Sequence, residues 1–258
     1  SLAYDGIETP ENKVDNVLGG AGTYICLSLK NFNSKYSIVS VVGKDFKIED
    51  LNLLENCGVD ISGIKIEKNN KTFYWSCIYT DNFKERITTK TELNVMESFN
   101  PIISKNKSNP DIVLLGNLHP EIQLSAINQL NNKPSAIILD TMNYWIENFW
   151  NTVKEVISKV DIISINDEES EMITGHKDLK KAAKVLHTMG PTYVIIKKGK
   201  DGAEVFNYEK RYIANAYEVD KVIDPTGAGD CFVGGIAGYL SQSSEVSFDS
   251  IKSAIDYG

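Results

Sequence analysis

From Tyr36 onward the chain alternates short apolar runs rich in β-branched residues with longer amphipathic stretches. Nothing else in it constrains the fold as strongly, because parallel strands need long crossovers and amphipathic helices supply them while covering the sheet. Strands are expected at 37–42, 111–115, 136–139, 161–165 and 193–196. Helices are expected at 46–57, 121–130, 146–160, 168–174 and 179–189, the last stopped by Gly190-Pro191. The class is α/β. Two segments break the rhythm: residues 6–17 are polar and extended, and residues 64–92 alternate like antiparallel strands around an Asn69-Asn70 turn. They are expected to form a small sheet, a lid or dimer contact, or else an ordinary extension of the main sheet.

With 258 residues, 42% hydrophobic and 24% charged, the chain can bury one core as a single domain, 1–258, with the segments 6–17 and 64–92 inserted. No stretch approaches the roughly 18 apolar residues of a membrane span, and no basic-then-apolar leader opens the chain, so a cytoplasmic protein is expected. Its 27 Lys and Arg against 35 Asp and Glu, a formal charge of −8, disfavour nucleic acid and anionic membranes as partners. A small molecule is the better candidate. Cys26, Cys57, Cys77 and Cys231 show no C-x-x-C pair, so reduced and mostly buried thiols are expected. The chain opens at Ser1 without Met and closes at Gly258 inside a helical pattern, so both ends are expected to continue in the full protein.

The chemistry concentrates in Asp224-Pro225-Thr226-Gly227-Ala228-Gly229-Asp230, followed by a small-residue run to Leu240. A Gly-rich turn opening a helix presents unpaired N–H groups at the positive end of the helix dipole, a ready phosphate site. Asp230 beside such a site would repel phosphate unless it served the reaction, for instance by taking a proton from an attacking hydroxyl. Its plain alternative is a first-turn Asp favouring the dipole. The segment is not G-x-x-x-x-G-K-[ST], and no G-x-G-x-x-G follows a strand, which disfavours Walker-type and nicotinamide sites.

This segment resembles the D-[TP]-x-G-A-G-D motif of the ribokinase-like, or PfkB, carbohydrate kinases, and the resemblance runs along nearly the whole chain. Asp5 and Gly19-Gly20 are similar to the family's substrate aspartate and di-glycine turn, and Val42-Gly43-Lys44-Asp45 to its V-G-x-D element. Gly58-Val59-Asp60 resembles the G-V-D before the lid, Asn166-Asp167-Glu168-Glu169 the N-x-x-E motif, and Lys197-Lys198-Gly199-Lys200-Asp201-Gly202 the nucleotide-side turn. The resemblance implies a three-layer α/β/α sandwich with a mainly parallel sheet and a small β-sheet lid. It also implies an ATP-dependent kinase that phosphorylates a hydroxyl of a sugar or sugar-like molecule, with Mg2+ and in many members a monovalent cation such as K+.

In that reading Asp230 is the base, and the amides of Gly227, Ala228 and Gly229 form an anion hole. Glu169 and Asn166 hold Mg2+ largely through water, although Asn166 followed by Glu169 is also a capping box. Asp5, Gly19 and Gly20 bind the acceptor, Asp224 the monovalent cation, and Asn166, Lys197, Gly199, Gly202 and Thr226 the nucleotide. Lys197-Lys198 alone would read as solvated charge. Asn117 and Asn143 follow expected strands, where open α/β sheets place ligands. His119, before Pro120, can also be a capped loop residue, and His176 and His187 read as surface groups. Tyr24 stands where ribokinases proper usually carry Asn, so it either stacks on a ring or fills core. That departure keeps open a nucleoside kinase of the adenosine or inosine type, as does the aromatic set Trp75 and Tyr79 with Arg86. A non-catalytic sugar-binding homologue is a third reading. A homodimer through the lid strands is expected.

Overall fold

The structure, a computed structural model, describes residues 1–80, 83 and 85–258. Asp81, Asn82 and Lys84, inside the expected 64–92 segment, lie outside the described residues. The chain divides into two compact units, Ser1–Ile102 with Val219–Cys231, and Ile103–Glu218 with Phe232–Gly258. Among the described residues no helix is long and apolar enough to cross a membrane.

In the first unit β1 (Ala3–Glu8) and β2 (Lys13–Gly19) form a hairpin, and helix α1 (Ala21–Leu29) follows. Strand β3 (Tyr36–Gly43), helix α2 (Ile48–Asn56) and β4 (Val59–Glu67) make a parallel β-α-β pair. Strands β5 (Tyr74–Tyr79) and β6 (Arg86–Glu92) complete a four-stranded sheet of order β2-β1-β5-β6. The pairing across Asn69-Asn70 differs from the expected antiparallel hairpin. Residues 64–67 belong to β4, which pairs with β3, while β5 pairs parallel with β1 and antiparallel with β6. The cause lies in the link between β4 and β5. Asp45 Oδ1 accepts from the Thr72 N–H at 2.7 Å and from its hydroxyl at 2.8 Å, while the Gly43 N–H donates to Thr72 Oγ1 at 3.0 Å. Residues 70–72 run so close to Gly43 that a Cβ there would lie 2.2 Å from the Lys71 carbonyl carbon, so the V-G-x-D element anchors the crossing. Leu2, Cys26, Val42, Leu54, Cys57 and Val59 form the core beneath β3 and β4.

The second unit starts with β7 (Ile112–Leu115), α3 (Pro120–Asn128) and β8 (Ala136–Asp140), then α4 (Asn143–Asn148) and α5 (Trp150–Ile157). It continues through β9 (Ile162–Asn166), α6 (Asp167–Thr174), α7 (Leu179–Met189), β10 (Tyr193–Lys197), β11 (Ala203–Phe206) and β12 (Arg211–Ala214). Helix α8 (Ala228–Leu240) enters this unit after its first turn, and α9 (Phe248–Ile255) closes it. The sheet order is β12-β11-β10-β9-β8-β7, parallel from β7 to β10 and antiparallel at β11 and β12. One face, with Leu139, Ile163, Ile165 and Ile196, packs on α3 to α7; the other, with Ile138, Ile162, Ile195 and Val205, packs on α8 and α9. These are the expected three layers, and double-sided burial explains why the strands read as unbroken apolar runs.

The expected helix 146–160 is instead two helices meeting at Phe149, whose backbone (φ −135°, ψ 35°) is not helical. Its ring packs edge-on to His119 at 4.4 Å, so tertiary packing breaks a pattern that is periodic in sequence. The small residues of α8 serve close packing, since a Cβ on Gly235 would come within 2.5 Å of the Tyr257 carbonyl oxygen.

Candidate active site

Asp5 sits in mid-β1, 2% exposed. Its Oδ2 accepts from the Gly20 N–H at 3.2 Å, and a Cβ on Gly19 would fall 2.0 Å from the same oxygen. The di-glycine turn therefore wraps the carboxylate, with Gly20 held at φ +82°, a conformation that L side chains resist. Burial lifts the Asp5 pKa to about 6; the Gly20 amide and the Tyr24 hydroxyl oppose the rise, and the Asp224 charge reinforces it. On the neighbouring strand Trp75 stands opposite Asp5 and Cys77 opposite Ile7, so this face of the sheet carries Asp5, Trp75, Cys77 and Tyr79. The Arg86 guanidinium lies 5.3 Å over the half-buried Trp75 ring.

Tyr24 does not offer a free ring face at the Gly-rich turn. Gly227, at φ +76°, lies so close that a Cβ would be 2.3 Å from the ring. Glycine is thus required twice there, by dihedral and by contact. The Tyr24 hydroxyl is pushed above its usual pKa, chiefly by burial and then by the charges of Asp5, Asp224 and Asp230. Three carboxylates therefore converge on one phenol. The loop is braced by Asp224 Oδ1 accepting from the Thr226 N–H at 2.9 Å and by Thr226 Oγ1 with the Tyr79 hydroxyl at 3.0 Å. Asp230 stands half-buried in the first turn of α8. The Ala228 N–H donates to the Pro225 carbonyl at 3.2 Å, and Gly229 is half-buried beside it.

The second unit gathers its own set along the carboxyl ends of the parallel strands. Asn166 and Glu169 form a reciprocal capping box: the Asn166 N–H donates to Glu169 Oε2 at 2.9 Å, and the Glu169 N–H to Asn166 Oδ1 at 2.7 Å. Glu169 is 7% exposed, and burial raises its pKa to about 7 against the pull of Lys197. Lys197 and Lys198 are not solvated charge. Lys197 Nζ pairs with the buried Asp140 at 2.9 Å, and Lys198 Nζ with the buried Glu204 at 3.1 Å, which Arg211 also binds at 2.6 Å. The turn between Lys198 and Gly202 closes with the Lys198 N–H on the Gly202 carbonyl at 2.8 Å. Gly199 (φ +55°) has open space about it, whereas Gly202 is pressed against the Ala214 carbonyl oxygen.

Asn117 and Asn143 bond outside this set. Asn117 Oδ1 accepts from Trp145 Nε1 at 2.8 Å, and Asn143 is exposed at the start of α4, its Oδ1 accepting from the Tyr144 N–H at 2.9 Å. His119 caps α3, accepting from the Glu121 N–H at 3.3 Å. His176 is exposed, but His187 is buried at 7% exposure with Nδ1 2.9 Å from the Pro191 carbonyl, contrary to the surface expectation. Asp140 and Glu204 were not anticipated. A carboxylate directly after the apolar run 136–139 was the available signal for the first, since a charge at the end of a buried strand needs a partner.

The profile of the pfkB family carbohydrate kinases matches residues 3–255. A cytidine kinase of Thermococcus kodakarensis is 30% identical over 244 residues, which cover 92% of this chain and 86% of that protein. Among solved structures, a Burkholderia thailandensis nucleoside kinase in complex with inosine superposes with a TM-score of 0.77 at 17% identity, covering 100% of this chain and 87% of that one. A Vibrio cholerae fructokinase bound to fructose, ADP and calcium superposes with a TM-score of 0.78 at 17% identity, covering 99% and 88%.

Proposed function

Because the chain belongs to the pfkB family of carbohydrate kinases, phosphotransferases acting on hydroxyl groups, we propose that it transfers the γ-phosphate of ATP to a hydroxyl of a sugar or sugar-like small molecule. The observation that carries this reading is Asp230 in the first turn of α8, directly after the left-handed turn at Gly227. The carboxylate of Asp230 takes the proton of the attacking hydroxyl as the new O–P bond forms and the bond to the leaving ADP oxygen breaks. Amides of Gly227, Ala228 and Gly229 receive the charge on the transferring group, for which the Ala228 N–H exchanges its bond to Pro225 for a phosphoryl oxygen. Asp5 accepts hydrogen bonds from the acceptor's hydroxyls, and the Gly19-Gly20 backbone lets the acceptor approach.

On the nucleotide side Lys197 supplies positive charge, and the 198–202 turn and Thr226 bind the rest of the nucleotide. Among the described residues no three His, Cys, Asp or Glu side chains gather to hold an ion directly. The buried Glu169 carboxylate beside the Asn166 amide instead fits Mg2+, which keeps most of its waters and takes its direct ligands from phosphates. Glu169 and Asn166 would hold that hydrated ion, which when bound neutralises phosphate charge. Asp224 would serve a monovalent cation such as K+.

A second reading, a nucleoside as acceptor, is favoured by the half-buried Trp75 beside Asp5 under the Arg86 guanidinium, a surface suited to a planar base. A panel of sugars and nucleosides in an ATP-consumption assay separates the two. Asp230→Asn tests the base: turnover falls by about 10²-fold or more with ADP affinity retained. An unchanged rate refutes the assignment.

A further inference from the structure

Asp140, Asn166 and Lys197 are the last residues of the adjacent parallel strands β8, β9 and β10, with Lys197 registered opposite Asn166 and Asp140 opposite Ser164. Lys197 Nζ lies 2.9 Å from Oδ1 of Asp140, 5% exposed, and Glu169, 7% exposed and bonded to the N–H of Asn166 opposite Lys197, also feels the Lys197 charge. The Asp140 end of the pair is itself anchored. Gln123, buried on α3, donates its amide to the carbonyls of both Asp140 (3.1 Å) and Gly116 (3.0 Å), tying the carboxyl ends of β7 and β8 together.

Removing one partner of a buried ion pair leaves the other charge uncompensated at a high cost, which drives an ammonium without Asp140 toward the other carboxylate at hand, Glu169. Resting on the functional reading above, we infer that Asp140 is a positioning residue. It holds Lys197 at the end of β10, where the ammonium meets nucleotide phosphate, and keeps that ammonium from pairing with Glu169. Without Asp140 the same lysine becomes an internal competitor for the carboxylate that receives the hydrated Mg2+. The effect is thus directional: loss of Asp140 harms the metal side through Lys197, not through a cavity or a lost fold.

The test measures ADP binding by calorimetry, with and without MgCl2, for the wild-type protein, Asp140→Asn, Lys197→Met and the double variant. Wild type binds ADP more tightly with Mg2+. Asp140→Asn weakens binding about tenfold or more, the scale for a group that orients another, and loses most of the Mg2+ enhancement. Lys197→Met weakens ADP binding but keeps the enhancement, and the double variant regains the enhancement that Asp140→Asn lost. Asp140→Asn within twofold of wild type with the enhancement intact overturns the inference, and so does a double variant as insensitive to Mg2+ as Asp140→Asn. Should Asp140→Asn not fold, Lys197→Met decides alone: retention of the enhancement supports the inference and its loss overturns it. A wild-type protein indifferent to Mg2+ would instead remove the nucleotide-side reading itself.

Discussion

Replacing Asp5 by Asn should make the protein more stable and less active, and the gain should depend on pH in a defined way. In the folded state burial raises Asp5 from 3.8 to about 6. At about 1.4 kcal/mol per unit, the ionised carboxylate costs folding about 3 kcal/mol. Between about pH 4 and 6 the folded chain holds a proton that the unfolded chain has released, so this contribution to stability falls as pH rises through that window. Above it the cost is complete; below it the cost is absent. Asn keeps an acceptor for the Gly20 N–H, and the Tyr24 hydroxyl can turn to accept from the new amide, so the isostere should recover most of the cost. For a chain of this size about 3 kcal/mol corresponds to a Tm higher by about 6–12 °C. Thermal unfolding of both proteins from pH 4 to 8 should show the full difference above about pH 6.5 and none near pH 4. Phosphorylation of the acceptor should collapse at every pH. An Asn variant less stable than wild type at pH 7.5, or a stability difference that does not change with pH, would refute the reasoning.

At Gly227 an Ala must accept a left-handed backbone, about 1–2 kcal/mol, and overlap the Tyr24 ring, about 1–3 kcal/mol. Chemical denaturation of Gly227→Ala should show both losses, and adding Tyr24→Leu should restore only the second. Glu204→Gln leaves Lys198 and Arg211 facing each other without the carboxylate between them. Because those side chains keep 22% and 34% exposure, a loss of about 2 kcal/mol is expected, below the 3–5 of a fully buried pair, and thermal unfolding measures it. Strand β6 is exposed along its whole length at the edge of the four-stranded sheet, with Ile87 53% exposed. Such an edge invites pairing, so sedimentation should show a homodimer that Ile87→Lys weakens.

What was legible in the sequence follows from the range of the interactions concerned. Strands 111–115, 136–139, 161–165 and 193–196 were visible because helices cover both faces of that sheet, leaving no polar alternation to confuse them. Strands β11 and β12 were missed; β12 is only four residues long, with Arg211 and Ile213 outward. The Asn69-Asn70 turn signal was local, whereas the partner of β4 was chosen by β3 and by the Asp45 anchor, more than twenty residues away. The 224–230 loop was legible because its turn, its Asp224–Thr226 bond and its helix start are contiguous, although the Tyr79 bond that also braces it is not. The Asp140–Lys197 pair was not, since 57 residues separate its partners. Tyr24 reads in sequence as either stacking or packing, because the glycine against its ring, Gly227, lies some two hundred residues away.

The capping box at the start of α6 narrows what substitution can do at one position. Glu169 serves its helix by reach, bending back to the Asn166 N–H at 2.9 Å, and in the proposed function it would serve the metal by charge. Gln has the reach without the charge, and Asp has the charge on a stem one methylene too short. No single replacement among the twenty side chains preserves both properties. Selection for activity should therefore tolerate almost nothing at Glu169, whereas a library screened only for folding should accept Gln there and nothing else as readily.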